Sequence, residues 1–269
     1  MMKKELTTQE LRDVQIGILD HVHAFCEEKG IRYSLCGGTL LGAIRHGGYI
    51  PWDDDIDLMM LREDYNRFLS EHHDERFEVF SIGKTPNYDL PFAKVCDMQT
   101  LLEEDANMDI SFGVNIDILP IDRFPNTLDE SKHFLWQIKK RRTLARLKQI
   151  KTKNKKEWYK KVIFFVAKIL LFPLSIHRLH EKVNTLAQIY NAECTDYVGI
   201  SVWGYGMKER CHIKGYDQTV NVEFEGKSYN AISNHHEYLS TVYGDYMKLP
   251  PKDKQISYHF FKAYKRTES

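Results

Sequence analysis

The chain has 269 residues and a formal net charge of zero, with 38 basic and 38 acidic side chains. A zero net charge excludes a general electrostatic attraction to nucleic acid, and 42% apolar residues are ordinary for a globular protein. The five cysteines are odd in number and form no Cys-x-x-Cys pair, which argues against a zinc module and favours reduced, cytosolic thiols.

The first 60 residues predict alternating helices and strands. Thr7 followed by Glu10 is the pattern of a capping box, and it predicts a helix over 7–29 that ends at Gly30. The next elements are a strand, a short helix and a strand, at 31–36, 39–46 and 56–60. Residues 1–13 have no apolar signal-peptide core, so we expect a cytoplasmic protein.

Four carboxylates stand just before and at the start of the second strand: Asp53, Asp54, Asp55 and Asp57. Such acids repel one another and are costly to bury without a counterion, so the pattern favours a divalent cation. Asp55 and Asp57 are two residues apart, which on a strand places both on one face, where they can bind one Mg²⁺. Gly37 and Gly38 lack Cβ atoms and let backbone N–H groups approach a phosphate. The alternative is a solvated acidic loop, but the apolar residues on both sides favour the catalytic interpretation.

The segment after the acids predicts one helix, at 62–72, and then four strands, at 76–82, 91–97, 99–103 and 113–119. Together with the earlier elements, this order predicts an α+β fold. We expect a mixed β-sheet of about five strands with flanking helices.

From 127 to 193 the pattern is helical and its charge is uneven. Residues 139–161 contain twelve Lys or Arg and one Glu, a net charge of +11. Residues 162–176 are almost entirely apolar, but this run is shorter than the roughly 20 residues of a membrane span. One interpretation is an anchor on an anionic membrane surface, and the other is a buried helix after a solvated one. No nucleic-acid-binding module is recognised here, so no nucleic acid is expected as a partner.

The last third predicts two strands over 219–232, with a turn at Gly226-Lys227, and a helix over 234–243. We predict three parts of the chain: a catalytic core at 1–126, a helical subdomain at 127–196, and a C-terminal part at 197–269 that packs back on the core.

The segment GGTLLGAIRHGGYIPWDDDIDL, residues 37–58, resembles a known enzyme family. The order of strand, Gly-Gly, helix and Asp-x-Asp is similar to the nucleotidyltransferase superfamily. The fuller wording resembles the LicD family of phosphocholine transferases and its fukutin-related relatives. Three shorter segments match in the same order: PFAKVCDMQTLL at 91–102, GVNIDILPID at 113–122 and YGDYMKLPP at 243–251.

The resemblance implies catalytic roles for several acids. Asp55 and Asp57 would be paired ligands of Mg²⁺, with Mn²⁺ as an alternative, and Asp117 would be the third carboxylate. An acid in the apolar segment around 117 is costly unless it is paired or binds a metal, so a salt-bridged core acid is the alternative. Asp53 is either the general base or an outer ligand. Lys94 either reaches a donor phosphate or extends from an edge strand into solvent.

Six residues are assigned to substrate binding: Gly37, Gly38, Thr39, His46, Lys94 and Trp203. His46 either contacts a donor phosphate or acceptor hydroxyl, or makes a structural hydrogen bond. The stretch 203–206 is a candidate for part of an aromatic cage around a choline headgroup, with ordinary core packing as the alternative.

The resemblance implies transfer of phosphocholine from CDP-choline to a sugar hydroxyl of a teichoic acid or another cell-surface glycan precursor, with release of CMP. The alternatives are transfer of another CDP-activated phospho-alditol, a nucleotidyltransferase that uses a nucleoside triphosphate, and a membrane-associated assembly protein. A lipid-linked acceptor favours the membrane-surface interpretation of 139–176. We therefore expect a cytoplasmic protein that is peripheral on the inner face of the cell membrane.

Overall fold

The computed structural model describes residues 4–104, 110–149, 159, 165, 169–256 and 261–266. Helix α1 (Thr8–Lys29) begins after Thr7, whose hydroxyl accepts the N–H of Glu10 while the Glu10 carboxylate accepts the N–H of Thr7. The helix ends at Gly30, which has a left-handed φ of 62°. The predicted capping box and helix end are therefore confirmed.

A mixed β-sheet forms the centre of the fold. The first six strands are β1 (Ser34–Leu35), β2 (Asp57–Leu61), β3 (Phe77–Phe80), β4 (Ala93–Asp97), β5 (Thr100–Glu104) and β6 (Val114–Phe124). Five of them pair in the order β1-β2-β6-β4-β3, with β2 and β6 parallel and the other pairs antiparallel. This confirms the predicted mixed sheet. Strand β5 leaves this sheet and pairs with the last strand, β11 (Phe261–Lys265).

Helices flank the sheet, and later strands extend it. The helices after α1 are α2 (Gly37–His46), α3 (Arg62–Glu71), α4 (Leu128–Gln149), α5 (Ile176–Ala187) and α6 (His235–Tyr243). The later strands are β7 (Tyr197–Gly199), β8 (Cys211–His212), β9 (Thr219–Phe224) and β10 (Lys227–Ile232). Strand β7 pairs with β6, and β8 pairs with β7. The β9–β10 hairpin and helix α6 confirm the elements predicted for the last third.

Strand β6 is longer than the predicted 113–119 because it changes neighbours along its length. Strand β4 pairs with it as far as Ile118, and β7 pairs with it from Asp122 onward. Pro120, which cannot donate a backbone hydrogen bond, stands between these two pairings. The proline therefore lies where the loss of an N–H is tolerated.

A buried ion pair joins helix α3 to strand β6. Arg62 donates from Nε and Nη2 to the two carboxylate oxygens of Asp122, at 2.7 and 2.6 Å. Asn191 also donates to Asp122, at 2.7 Å. Both oxygens of the Asp122 carboxylate thus accept hydrogen bonds, which a buried charge requires.

The basic and apolar segments predicted around 139–176 lie partly outside the described residues. Of the apolar run, the structure describes residue 165 and residues 169–176, and Leu170 and Phe172 are 73% and 82% exposed. These side chains are not buried, in contrast to the buried-helix alternative. In the parts of the chain that the structure describes, no helix has the length and hydropathy needed to cross a bilayer. Membrane contact and the three-part division of the chain stay predictions.

Candidate active site

Helix α2 begins directly against the acidic loop. The N–H of Asp57 donates to Thr39 Oγ1 at 2.9 Å, so the first turn of the helix fixes the start of β2. A Cβ atom at Gly38 would lie 2.6 Å from Asp53 Oδ2, a separation that real Cβ contacts do not reach. Gly37 has a φ of 53°, and its Cβ would lie 3.4 Å from Asp57 Oδ2. Gly38 therefore lets Asp53 lie against the helix start, and Gly37 is favoured by its left-handed backbone conformation.

Helix α1 supports the acidic loop from another side. Arg12 donates to the carbonyl oxygen of Asp53 at 2.9 Å, and Gln15 donates to that of Asp54 at 2.8 Å. Gln15 is buried, and its own amide oxygen accepts the hydroxyl of Tyr49 at 2.9 Å. Both contacts hold the loop by its backbone.

The acids act strongly on one another. Burial raises the pKa of the Asp57 carboxyl well above its usual value, and the neighbouring charges of Asp55, Asp117 and Asp53 raise it further. The ammonium of Lys94 opposes this rise. A bound cation would remove the repulsion that these carboxylates experience.

Asp117 lies beside Asp57 because β2 and β6 run parallel with these two residues in register. Lys94, on β4, is the cross-strand neighbour of Asp117, and its Nζ lies 2.5 Å from Asp117 Oδ1 and 2.9 Å from Asn115 Oδ1. Strand β4 lies between β6 and β3, so the edge-strand alternative for Lys94 is wrong. The pairing matches the salt-bridge alternative for Asp117, and the catalytic roles of both residues stay predictions.

An open cavity of about 790 Å³ lies beside the acidic loop. Its acidic lining residues are Asp53, Asp55, Asp57 and Asp245, and Gly38 also lines it. Its aromatic lining residues are Trp52, Tyr205, Tyr243 and Tyr246, and its basic ones are Arg45 and Lys248. One cavity thus combines carboxylates, aromatic rings and cations, the groups needed for a substrate with several charges.

Of the six predicted substrate-binding residues, Gly38 is among the described residues that line this cavity, and Gly37, Thr39, His46, Lys94 and Trp203 are not. His46 Nε2 accepts a hydrogen bond from Arg45 Nε at 2.9 Å, which matches the structural alternative. Burial and the Arg45 charge lower the pKa of His46. Trp203 packs against Phe92, with ring centroids 5.3 Å apart, and the guanidinium of Arg142 lies 4.4 Å from the Trp203 ring. Their binding roles stay predictions.

Sequence reasoning missed several residues at the cavity and its supports. Tyr243 and Arg45 line the cavity but were not predicted as site residues, whereas Tyr205 belongs to the 203–206 stretch that was predicted as part of an aromatic cage. The segment YGDYMKLPP, which begins at Tyr243, was a usable signal because it belonged to the resemblance. Gln15 gave a weaker signal, a polar side chain beside the apolar residues of α1.

The N–H of Gly37, predicted to approach a phosphate, donates to the hydroxyl of Tyr238 at 3.3 Å.

The acids fit a hard divalent cation. Across the described parts of the chain, no three His, Cys, Asp or Glu side chains form a ready-made metal group. Mg²⁺ is usually bound through one or two carboxylates together with substrate phosphates and water, not through a complete protein cage. Asp55 and Asp57 line the cavity, and the raised pKa of Asp57 marks repulsion that a cation would relieve. Asp55 and Asp57 are therefore the residues that would hold the metal, and the ligand role predicted for Asp117, which is ion-paired with Lys94, stays a prediction.

These features define a class of enzyme. A mixed sheet that presents two neighbouring strand acids, with a glycine-started helix packed against them, is the arrangement of a nucleotidyltransferase-type transferase. The family model described as "LicD/FKTN/FKRP, nucleotidyltransferase domain" matches residues 30–175. The chain belongs to this family, and it is a transferase.

Individual relatives agree with the family. The chain is 35% identical over 270 residues to "Lipopolysaccharide cholinephosphotransferase LicD" of Haemophilus influenzae, covering 97% of this chain and 99% of that protein. It is 54% identical over 44 residues to "Ribitol 5-phosphate transferase FKRP" of Homo sapiens, covering 16% of this chain and 9% of that protein. The first similarity is nearly full length, and the second is confined to a short segment.

Proposed function

We propose that this protein transfers phosphocholine from CDP-choline to a sugar hydroxyl of a cell-surface glycan precursor, with Mg²⁺ bound at the acids, and releases CMP. The observation that carries the proposal is the nearly full-length similarity to a lipopolysaccharide cholinephosphotransferase. The cavity supports it, because its lining holds carboxylates for a metal and aromatic rings for a quaternary ammonium. The acceptor is a lipopolysaccharide, a teichoic acid or a related precursor.

The chemistry asked of the protein is positioning and charge compensation. The acceptor oxygen forms a bond to the choline-bearing phosphorus, and the bond from that phosphorus to the bridging oxygen breaks, so that CMP leaves with the electron pair. When bound, Mg²⁺ supplies charge neutralisation on the diphosphate and the leaving group. Asp55 and Asp57 would hold the ion. Asp53, in the acidic loop, is the candidate base that would accept the proton of the attacking hydroxyl.

Two further candidates within the class remain as alternatives. The short similarity to a ribitol 5-phosphate transferase supports a CDP-activated phospho-alditol as donor. A nucleoside triphosphate donor is the second alternative. CDP-ribitol would also release CMP but would leave a phospho-alditol on the acceptor, whereas CTP would release pyrophosphate, so separate reactions with each donor distinguish them.

A membrane-surface location would suit a lipid-linked acceptor. The exposed Leu170 and Phe172 project apolar surface next to the basic helix α4. Lys148 on that helix donates to the carbonyl oxygen of Leu171 at 3.0 Å, so basic and apolar surfaces are adjacent. This combination is typical of proteins that bind anionic bilayers peripherally.

The test is to incubate the protein with Mg²⁺, a lipopolysaccharide or teichoic acid acceptor, and CDP-choline, CDP-ribitol or CTP in separate reactions. We expect CMP from CDP-choline, phosphocholine on the acceptor, and no product in the presence of chelator. Asp57→Asn is the control for contaminating hydrolases. CMP released only from CDP-ribitol, or pyrophosphate released from CTP, would replace the proposed donor by one of the alternatives.

A further inference from the structure

Two tyrosines at the cavity wall form a pair beside the acidic loop. The rings of Tyr205 and Tyr243 have centroids 5.4 Å apart at an interplanar angle of 70°, and their hydroxyl oxygens are 3.1 Å apart. Both line the cavity together with Asp53, Asp55 and Asp57. The pair thus joins ring faces and carboxylates in one wall.

Local contacts fix the backbone that carries the two tyrosines. Glu209 Oε1 accepts the N–H of Tyr205 at 3.1 Å. Gly204 has a φ of 79°, and a Cβ there would lie 2.4 Å from the same carboxylate, so glycine lets the loop lie on Glu209. Tyr243 is the last residue of helix α6, which ends at Gly244. These contacts fix where both side chains leave the backbone, and the hydroxyl groups then lie 3.1 Å apart.

The pair is close to the place where the reacting phosphorus would lie. The Tyr243 hydroxyl and Asp57 Oδ2 are both within 4 Å of the position that a Cβ of Gly37 would take. In CDP-choline the quaternary nitrogen is two carbons from the ester oxygen of the reacting phosphate. The cytosine lies on the far side of the second phosphate and the ribose. With the reacting phosphate at the acids, the choline end is thus the part of the donor that reaches the tyrosines first.

The electrostatic environment favours a cation at this wall. Burial raises the pKa of the Tyr243 hydroxyl well above its usual value, and the nearby Tyr205 and Asp57 raise it further, so the phenol stays neutral. A neutral phenol presents an electron-rich ring face, which attracts a cation. A trimethylammonium group cannot donate a hydrogen bond, so ring faces and carboxylates are the groups that recognise it.

We propose that Tyr205 and Tyr243 form the wall that receives the quaternary ammonium of the donor and thereby select choline over donors with a primary ammonium or a neutral alditol. This inference rests on the proposed function. It replaces Trp203, which packs against Phe92 outside the cavity lining, as the main aromatic contact.

The test compares leucine and phenylalanine variants at both positions. Titration calorimetry with Mg²⁺ and without acceptor measures the affinities for CDP-choline, CDP-ethanolamine and CMP, so an inactive variant still reports. Tyr205→Leu and Tyr243→Leu should each weaken CDP-choline binding about tenfold and reduce the preference over CDP-ethanolamine. Tyr205→Phe and Tyr243→Phe should retain the preference, because the ring face remains. The affinity for CMP should be unchanged in all four.

Tyr190→Leu is the matched control, since that ring packs against Phe134 and lies outside the described cavity lining. An unchanged preference in the leucine variants would overturn the inference while leaving the proposed function intact. An equal loss of affinity for CMP would also overturn it, because the rings would then stack on the base. A wild-type protein that neither binds nor consumes CDP-choline would instead refute the proposed function.

Discussion

Replacing Glu209 by glutamine should stabilise the protein at alkaline pH more than at acidic pH. Glu209 is 1% exposed, and burial raises the pKa of its carboxyl from 4.5 to about 7, although the N–H of Tyr205 opposes the rise. The folded state binds the carboxyl proton of Glu209 more tightly than the unfolded state does. The contribution of this group to the free energy of unfolding is therefore fully present below pH 4.5. It is lost as the pH rises through about 7.

The difference between a pKa of 4.5 in the unfolded state and about 7 in the folded state corresponds to about 3 kcal/mol of unfolding free energy. Between about pH 5 and about pH 8.5, the stability of Glu209→Gln relative to wild type should therefore rise by roughly 2–3 kcal/mol. The glutamine carbonyl can still accept the N–H of Tyr205. The buried amide group adds an offset that does not depend on pH.

Urea unfolding of both proteins at the two pH values measures this change. Glu223→Gln, on the exposed part of strand β9, is the control, because it removes the same formal charge without removing a buried carboxyl. A difference between Glu209→Gln and wild type that is the same at both pH values would refute the assignment of a raised pKa.

Asp55→Asn or Asp57→Asn should abolish transfer and leave the melting temperature unchanged or raised in metal-free buffer, because one repelling carboxylate is removed. In the same thermal scans Mg²⁺ should stabilise wild type but not these variants, and equal stabilisation of all three would contradict the metal assignment. Asp122→Ala should cost about 3–5 kcal/mol in urea unfolding, since it leaves a buried guanidinium without its partner; a loss below about 1 kcal/mol would contradict this reasoning. The double substitution Leu170→Ser and Phe172→Ser should remove the salt-resistant part of binding to phosphatidylglycerol vesicles while a short soluble acceptor is still modified. Unchanged sedimentation at high salt would contradict membrane insertion there.

Local features of the fold could be predicted from the sequence because short-range chemistry determines them. The capping box at Thr7 and the turn at Gly226 each depend on a few neighbouring residues, and the structure has both. The acidic run before β2 was visible for the same reason. The prediction that the acidic run lies near Asp117 came from the resemblance to a known family, because the parallel pairing of β2 with β6 joins residues 60 positions apart.

The parts that could not be predicted depend on long-range packing. Tyr243 reaches Gly37 only because α6 packs beside α2, and no local pattern encodes that contact. An edge strand was one of the two alternatives for Lys94, and the sequence could not show that β3 covers the other side of β4. Gln15 could not be connected with the acidic loop, because its partner is a backbone carbonyl and not a recognisable side chain.

The site keeps its acids together by fixing the backbone that carries them. Arg12 and Gln15 hold the loop carbonyls, and Thr39 holds the N–H of Asp57. A loop without these contacts could relieve the repulsion by moving its carboxylates apart into solvent. Because the backbone is held, the repulsion persists in the folded chain and is available to favour the binding of a cation. The folded metal-free protein therefore carries the cost of this repulsion, and the same contacts preorganise the site for the charges of its substrate.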